Sequence, residues 1–186
     1  RAVLFQKNRD YQAEIKRNSH RMVLHPLQIN TNKSEYGTAF YGNNIVYATS
    51  KGGILKKRAD WTGDNFYSLY EATTDSLQVF KKGKLNGINT KFNESTATFS
   101  KDGNTIYFTR NNYVNHKLGT DFENTILLKI LRATKDSNGE WGNVVELPFN
   151  SDDYNVAHPA LSPDEKFLYF ASDMSGTLGE SDIYRV

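Results

Sequence analysis

A strand pattern that recurs about every 60 residues constrains the fold more than any other feature of this sequence. Each occurrence begins with an Asn followed by Thr or Ser, at Asn30-Thr31, Asn89-Thr90 and Asn150-Ser151. About ten residues later a short strand runs into a turn, and an apolar strand follows. Self-similarity at a fixed interval is the signature of a repeat architecture, so the chain is expected to fold as copies of one unit.

Each unit reads as up to four short strands separated by turn residues. The strongest strand of each copy covers residues 45–49, 105–109 and 167–171, the third strand covers 67–72, 128–133 and 183–186, and two copies show a fourth strand at 77–80 and 143–147. Trp141 before the last of these is expected to anchor packing. Four strands per unit predict an all-β fold and a β-propeller. A sandwich or an up-and-down barrel also uses short strands, but neither predicts one pattern three times.

The repeats divide the chain into blades at about residues 30–85, 86–147 and 148–186, the last one incomplete. A propeller closes with about four or more blades, so residues 22–186 are expected to be part of a larger ring. Residues 22–29 precede the first Asn as a fourth strand would, and we interpret them as a possible closing strand. Residues 1–21 do not fit the pattern and suggest a linker or the tail of an upstream helical domain.

Charge and composition exclude several classes of function. The 23 basic and 21 acidic residues leave a net charge of +2, which creates no strong field for nucleic acid or anionic lipid. The absence of Cys excludes disulfides and thiolate chemistry. No signal peptide or transmembrane run of about 18 apolar residues is found in these 186 residues. Since the first residue is Arg, we expect the natural chain to begin upstream.

No motif for catalysis, metal binding or a cofactor stands out. The four histidines have no zinc-ligand spacing, and His158 is expected to pack or form hydrogen bonds at the inner rim of a blade. Acidic residues cluster in the third unit at Asp152, Asp153, Asp164, Asp173 and Asp182. Turn carboxylates commonly accept backbone N–H groups, so these acids are predicted to be structural rather than calcium ligands. A catalytic carboxylate pair stays open as an alternative.

Two loops could serve binding. The first holds Lys56-Lys57-Arg58 and Trp61, an arrangement that can contact phosphate and stack on a base but is more typical of a solvated loop. The second is the insertion over residues 111–124 in the second unit. Long loops on a rigid scaffold often carry binding sites, although this one reads equally well as a variable surface loop.

The third unit resembles a known repeat family. Its segment AHPALSPDEKFLYFASDMSGTLGESDIYRV is similar to the TolB-type, WD-like propeller repeat, with Glu165 in place of the usual Gly. The matching positions include Pro159, Ser162, Pro163, Asp164, Leu168, Tyr169, Phe170, Ser172, Asp173, Gly176, Gly179, Asp182, Ile183 and Tyr184. The first unit resembles the family only loosely, since its turn is Tyr-Gly-Asn-Asn.

With its upstream extension, the segment resembles the OmpA-family, PorE-like envelope proteins of Bacteroidota, some of which belong to the type IX secretion and gliding apparatus. In that group helical TPR repeats precede the propeller, and a peptidoglycan-binding domain follows it. The resemblance implies a non-enzymatic scaffold in the periplasm or at the outer membrane, which binds other envelope proteins. It implies no cofactor and no catalytic residue, and contact with peptidoglycan only through a domain absent from this chain.

One alternative and one modification site remain open. A propeller can also accompany a peptidase or a glycan-processing enzyme, because this fold hosts unrelated functions. The segment Asp75-Ser76-Leu77 resembles the Asp-Ser/Thr-apolar O-glycosylation site of the same bacterial group, so Ser76 is a candidate for glycosylation.

Overall fold

The structure is a computed structural model, which describes residues 11–19, 23–51, 63–74 and 79–186. A nine-residue polar helix, α1, covers Tyr11–Ser19 and ends with Lys16 and Arg17, whose charges favour a helix C-terminus. No helix in these ranges is long and apolar enough to cross a membrane. Whether α1 ends a larger helical domain, as predicted for residues 1–21, stays a prediction.

The described chain contains thirteen strands. In order they are β1 (Glu35–Tyr41), β2 (Asn44–Thr49), β3 (Ser68–Thr74), β4 (Val79–Lys84), β5 (Glu94–Phe99), β6 (Thr105–Asn111), β7 (Tyr113–Val114), β8 (Lys117–Leu118), β9 (Leu128–Lys135), β10 (Trp141–Glu146), β11 (Val156–Leu161), β12 (Leu168–Ser172) and β13 (Asp182–Arg185). The predicted all-β class is confirmed.

Eleven of these strands form three sheets that repeat one antiparallel design, and β7 and β8 pair in a separate two-stranded sheet. Sheet one has the order β1-β2-β3-β4, sheet two β5-β6-β9-β10, and sheet three β11-β12-β13. The first strand of each sheet carries a β-bulge, between Tyr36 and Ala39, Ser95 and Ala97, and Ala157 and Ala160. The predicted repetition of one strand pattern is therefore confirmed, whereas closure into a propeller ring is not seen.

Consecutive sheets pack face to face around apolar cores. Val46 and Leu69 of sheet one meet Ile106 and Phe108 of sheet two in one buried cluster. Ile130 on the opposite face of sheet two meets Val156 and Phe170 of sheet three in another. The predicted anchor Trp141 packs against the first of these cores, and the missing Cβ of Gly87 allows its backbone to approach the Trp141 carbonyl.

The first strands of the three sheets lie beside one another. An ideal Cβ on Gly37 in β1 would stand 3.1 Å from the Thr96 methyl group in β5. Thr98 of β5 accepts a hydrogen bond of 3.2 Å from the N–H of Leu161 in β11. Between consecutive sheets the most extensive strand contacts are those of the first strands, β1 with β5 and β5 with β11, and we name the edge that they form the inner edge.

The turns between first and second strands in sheets two and three share one hydrogen-bonding scheme. Ser100 donates to Asp102 at 2.5 Å, and Ser162 donates to Asp164 at 2.7 Å. These bonds are the largest cause of the lowered pKa of both carboxyl groups. The left-handed residue is Gly103 in one turn (φ 70°) and Glu165 in the other (φ 60°). Ser162 and Asp164 thus form a hydrogen bond within their own turn.

Residues 23–29 of the predicted closing strand form no strand in this structure, and their role in closing a larger ring stays a prediction. Residues 23–27 take no regular structure, and residues 28–29 form a turn. Pro26 has no backbone N–H for a ladder bond, and Ile29 is buried against Tyr47 and Tyr70 of sheet one. The segment is therefore fixed to its own sheet.

Candidate functional site

The topology gathers two kinds of connection at one end of the sheets, which we name the loop end. Because neighbouring strands are antiparallel, the connections between second and third strands leave the same end as those between successive sheets. The loop end consists of residues 50–51, 63–67, 112–127 and 173–181 and of the inter-sheet segments 85–93 and 147–155. Residues 52–62, which hold the basic triplet and Trp61, lie outside the described ranges, as does Ser76.

An asparagine in each inter-sheet segment holds the third strand of the preceding sheet. The Asn89 carboxamide accepts the Leu69 N–H at 2.7 Å and donates to the Leu69 carbonyl at 2.8 Å. Asn150 repeats both bonds with Ile130, at 2.9 and 2.7 Å. A carboxamide offers one acceptor and donors on one planar group, so it pairs with a strand edge as another peptide unit would. We name this contact the asparagine clamp.

The residue after each Asn starts a turn closed by side chains. Thr90 donates to Glu94 at 2.5 Å, and its backbone N–H reaches the same carboxylate at 2.9 Å. Thr31 and Glu35 form the corresponding pair in sheet one, with a hydroxyl bond of 2.6 Å. In sheet three, Val156 takes the place of the glutamate, because it pairs with Ser172 as Glu94 pairs with Arg110. The repeated Asn-Thr/Ser dipeptide thus joins consecutive sheets.

A buried ion pair between Glu94 and Arg110 lies beside the inter-sheet segment 85–93. Glu94 is fully buried, and Arg110 is 5% exposed. The Arg110 Nε lies 3.1 Å from the glutamate oxygen Oε1, and its Nη2 donates to the Ile88 carbonyl. Burial lowers the pKa of the Arg110 guanidinium, and Glu94 opposes that shift. The guanidinium links sheet two to the inter-sheet segment, since it contacts both.

A second charged group joins sheet two to the next inter-sheet segment. Lys129 is 5% exposed, and its Nζ lies 2.7 Å from a carboxylate oxygen of both Glu146 and Asp152. Burial alone would lower the Lys129 pKa, but the bonds from the two carboxylates outweigh it, and the pKa is raised. Asp152 also accepts a bond from Asn112, and the pKa of its carboxyl is lowered, mainly by Lys129.

A cavity of about 350 Å³ opens beside the Arg110 pair. Its lining comes from the inter-sheet segment, the sheet-two strands and the insertion: Gly87, Ile88, Asn89, Thr90, Arg110, Tyr113, Asn115, His116, Leu131 and Val144. Asn89, Thr90 and Arg110 use their polar atoms in the bonds described above. His116 and Asn115 stand at the rim, and both have left-handed backbone angles, with φ of 64° and 49°.

Part of the insertion predicted as a loop over residues 111–124 is a small hairpin. Tyr113 pairs with Leu118 and Val114 with Lys117, so Asn115 and His116 form a two-residue turn. Positive φ at both turn positions is typical of type I′ geometry, which usually takes Asn-Gly. Tyr113 packs against Phe92 with ring centroids 4.7 Å apart, and this contact fixes the hairpin to the inter-sheet segment.

Two loop-end turns hold large apolar side chains in solvent. Phe122 is 86% exposed, and the turn beneath it is fixed by Asp121, which accepts N–H bonds from Glu123 and Thr125 at 2.9 and 2.8 Å. Leu178 is fully exposed, and its own N–H donates to Asp182. The backbone in both places is ordered by hydrogen bonds, so the exposed side chains are presented on rigid turns.

The remaining residues singled out from the sequence serve the structure of sheet three. Asp173 accepts two bonds from Asn155 at 2.6 and 2.7 Å, and Ser172 donates to the Asn155 carbonyl at 2.6 Å. Phe170 stacks between Phe149 and Tyr184, with centroids 4.6 and 5.9 Å away. Pro159 is buried, and Tyr169 is partly exposed. His158 has a φ of 59°. Its Nδ1 lies 3.3 Å from the Thr96 Oγ1 at the inner edge, where His158 was expected to pack or form hydrogen bonds.

The acidic residues of the third unit do not converge. Asp152 binds Lys129, Asp164 and Asp182 bind their own turns, and Asp173 binds Asn155. Among the residues that the structure describes, no group of three or more His, Cys, Asp or Glu side chains could hold a metal ion. Their predicted structural roles therefore agree with the bonds that they make.

Three features were not predicted from the sequence: the asparagine clamp, the Glu94–Arg110 pair and the hairpin. The Asn spacing signalled the first, and the Asn-His dipeptide between short apolar pairs could have signalled the hairpin. Comparison with known protein families and with curated proteins finds no match.

Proposed function

We propose that this chain is part of a β-propeller that acts as a non-enzymatic scaffold in a bacterial envelope complex, in the periplasm or at the outer membrane. Three sheets of one design that diverge from a shared inner edge support the propeller arrangement, because propeller blades place their first strands around a central axis. The resemblance of residues 159–184 to TolB-type repeats supports the assignment to the envelope, with the type IX secretion and gliding apparatus as the candidate complex.

The observation that carries the scaffold role is the pair of apolar side chains held on rigid turns of the loop end. Phe122 lies in a connection of sheet two and Leu178 in a connection of sheet three, and both connections are at the loop end. A preformed apolar contact costs a partner little ordering entropy. The polar atoms of Asn89, Thr90 and Arg110 beside the cavity are occupied by structural bonds, which favours binding by surface contact over chemistry in the cavity.

Affinity capture from a Bacteroidota envelope fraction tests the proposal. The wild-type chain is compared with a Phe122→Ser/Leu178→Ser double variant and with a Lys101→Ser/Lys166→Ser control, which alters the opposite end of the sheets. We expect one or a few envelope proteins to bind the wild type and the control, and binding to the loop-end variant to fall at least tenfold. Equal capture by all three proteins, or no capture by any, would refute the scaffold role at this end.

Ser76 remains a candidate glycosylation site. Mass spectrometry of the chain produced in a Bacteroidota host should show a glycan mass on the peptide that contains it, and a Ser76→Ala variant should lack that mass. An unmodified wild-type peptide would contradict the assignment.

A further inference from the structure

The sequence contains two Asn-Gly dipeptides, and both lie in turns that the structure describes. Asn86-Gly87 lies in the inter-sheet segment 85–93, and Asn138-Gly139 lies in the connection between β9 and β10. All four residues are exposed, and the two glycines have left-handed backbones, with φ of 78° and 79°. Since residue types, exposure and glycine φ agree, a difference in reactivity between the two dipeptides comes from the hydrogen bonds around them.

An asparagine that precedes glycine can lose its side-chain amide without an enzyme. The glycine nitrogen attacks the asparagine Cγ and closes a succinimide, while the Cγ–Nδ2 bond breaks and ammonia leaves with the proton of the attacking nitrogen. Water then opens the ring. Attack at Cγ gives aspartate, and attack at the main-chain carbonyl carbon gives isoaspartate, whose main chain runs through Cβ and Cγ. Glycine favours the closure because it has no Cβ beside its nitrogen. A hydrogen bond from that N–H opposes it, since the nitrogen must lose its proton.

The Asn138-Gly139 turn holds both reacting groups. The Gly139 N–H donates to the Asp136 carbonyl at 3.0 Å, and the Asn138 N–H donates to the Asp136 carboxylate at 2.9 Å. The pKa of the Asp136 carboxyl is lowered by bonds from the Glu140 and Asn138 N–H groups and from the Asn138 side chain. The attacking nitrogen and the carboxamide of this dipeptide are therefore both bonded to Asp136.

The Asn86-Gly87 turn leaves both reacting groups free. Neither the Asn86 side chain nor the Gly87 N–H makes a hydrogen bond with the part of the chain that the structure describes. The residues around them are fixed instead, since the Leu85 N–H donates to the Leu69 carbonyl at 3.0 Å and the Asn89 carboxamide donates to the Leu85 carbonyl at 2.9 Å. The exposed carboxamide can thus rotate onto the glycine nitrogen while the main chain on both sides stays in place.

We propose that Asn86 is a site of spontaneous deamidation and isoaspartate formation, that Asn138 is protected from it, and that isoaspartate at position 86 loosens the joint between sheets one and two. The reaction consumes one water molecule and releases one ammonia molecule, and it needs no cofactor. The modified joint weakens with the age of the protein.

The position of Asn86 explains why the longer main chain matters. Isoaspartate inserts one methylene group between Leu85 and Ile88, which are both buried, and the Ile88 carbonyl also accepts a bond from sheet two. An ideal Cβ on Gly87 would stand 1.9 Å from the Trp141 carbonyl oxygen, so the main chain has no room to move toward β10. The added length therefore displaces Leu85 or the clamp residue Asn89.

Peptide mapping by mass spectrometry of the incubated chain tests the assignment. One sample is kept at neutral pH in native buffer and another in concentrated guanidinium chloride, where both dipeptides are unfolded and should react at similar rates. Trypsin releases Asn86 in the peptide Leu85–Lys91, and an isoaspartyl methyltransferase labels the isoaspartate. In native buffer we expect Asn86 to deamidate at least tenfold faster than Asn138. Equal native rates at the two sites, or a slower reaction at Asn86, would overturn the proposal.

Urea midpoints of fresh and aged protein test the effect on the joint. Asn86→Asp carries the charge of the products on a main chain of normal length, and Asn86→Ser cannot deamidate. We expect the aged wild type to unfold at lower urea than both the fresh wild type and Asn86→Asp, while Asn86→Ser keeps its midpoint on ageing. An aged wild type that is rich in isoaspartate but has the midpoint of Asn86→Asp would refute the loosening of the joint.

Discussion

The joint between sheets one and two and the joint between sheets two and three share their backbone contact but differ in their charges. Both use an asparagine to hold the third strand of the preceding sheet, through Leu69 in one case and Ile130 in the other. The first joint adds the fully buried Glu94 and its Arg110 partner. The second has Val156 and Ser172 at the corresponding positions, and Asn155 and Asp173, which both contact solvent, lie one step further out, where the first joint has Asn93 and Asn111. The clamp sets the spacing of the sheets, and the surrounding side chains can vary.

The largest expected difference between the joints concerns the ion pair. Arg110→Met should lower the free energy of unfolding by about 3–5 kcal/mol, because it leaves the Glu94 carboxylate buried without its cation. Asp173→Asn should lower it by about 1 kcal/mol or less, since that group is hydrated. Urea unfolding of both variants measures the difference. Equal losses would show that burial does not distinguish the two joints.

The clamps themselves should behave alike. Asn89→Ala and Asn150→Ala each leave a buried backbone N–H without its acceptor, and each should cost about 2 kcal/mol. Asn30→Ala, whose side chain is exposed, is the matched control and should change the free energy of unfolding of the monomer by less than about 0.5 kcal/mol. Urea midpoints of the three variants provide the test. A negligible cost for Asn89→Ala would contradict the structural role of the clamp.

The ion pair between Lys129 and Asp152 in the second joint should make the free energy of unfolding depend on pH in both the acidic and the alkaline range. The lowered pKa of Asp152 contributes stability that is present above the unfolded pKa of about 3.9 and is lost as pH falls through the folded value. The raised pKa of Lys129 contributes stability that is complete below about pH 10.4 and is lost as pH rises through the folded value.

Melting temperatures between pH 2 and 11 measure both losses of stability, at acidic pH (the acid limb) and at alkaline pH (the alkaline limb). We expect Asp152→Asn to flatten the acid limb and Lys129→Met to remove the alkaline one, whereas Asp153→Asn, an exposed neighbour, should follow the wild type. If Lys129→Met still loses stability at alkaline pH as the wild type does, the alkaline pH dependence does not come from Lys129.

The smallest effects should come from the paired turns. Gly103→Ala should cost about 1 kcal/mol or more, because φ is 70° and the new Cβ would lie 3.2 Å from the Tyr41 ring. Glu165→Gly relieves strain at φ 60° but removes the 2.6 Å bond that Glu165 accepts from the Lys101 N–H, so its net effect should be below about 0.5 kcal/mol. Thermal melts compare them, and a cost for Glu165→Gly as large as that of Gly103→Ala would show that the bond between turns outweighs backbone strain.

The strands could be predicted well from the sequence, because the same strand pattern occurs at corresponding positions in three units. The second strands expected at 45–49, 105–109 and 167–171 differ from the observed bounds by only one or two residues. The bounds of the first strands were harder to predict, since bulges at residues such as Gly37 and His158 interrupt the period of two on which strand prediction depends. The closing strand over residues 22–29 was predicted from apolar composition and in spite of Pro26, and residues 23–29 form no strand here.

The loop end was less predictable because its contacts join distant residues. Arg110 and Glu94 lie 16 positions apart, and Asn150 reaches Ile130 across 20. Nothing in the local sequence shows which donor faces which acceptor once two sheets pack. The acidic residues of the third unit were predicted to be structural because turn carboxylates commonly bind backbone N–H groups within a few positions of themselves, and that role stays a prediction.

The central claim is that the three sheets diverge from a shared inner edge formed by their first strands. Nuclear Overhauser effects measured on the labelled chain test it most directly. We expect cross-peaks between the Gly37 Hα protons and the Thr96 methyl group, and between the Leu161 amide proton and the Thr98 side chain. A sandwich or a barrel would not place these first strands side by side. If the second strands are assigned and both cross-peaks are absent, the sheets do not share an inner edge and the propeller arrangement is wrong.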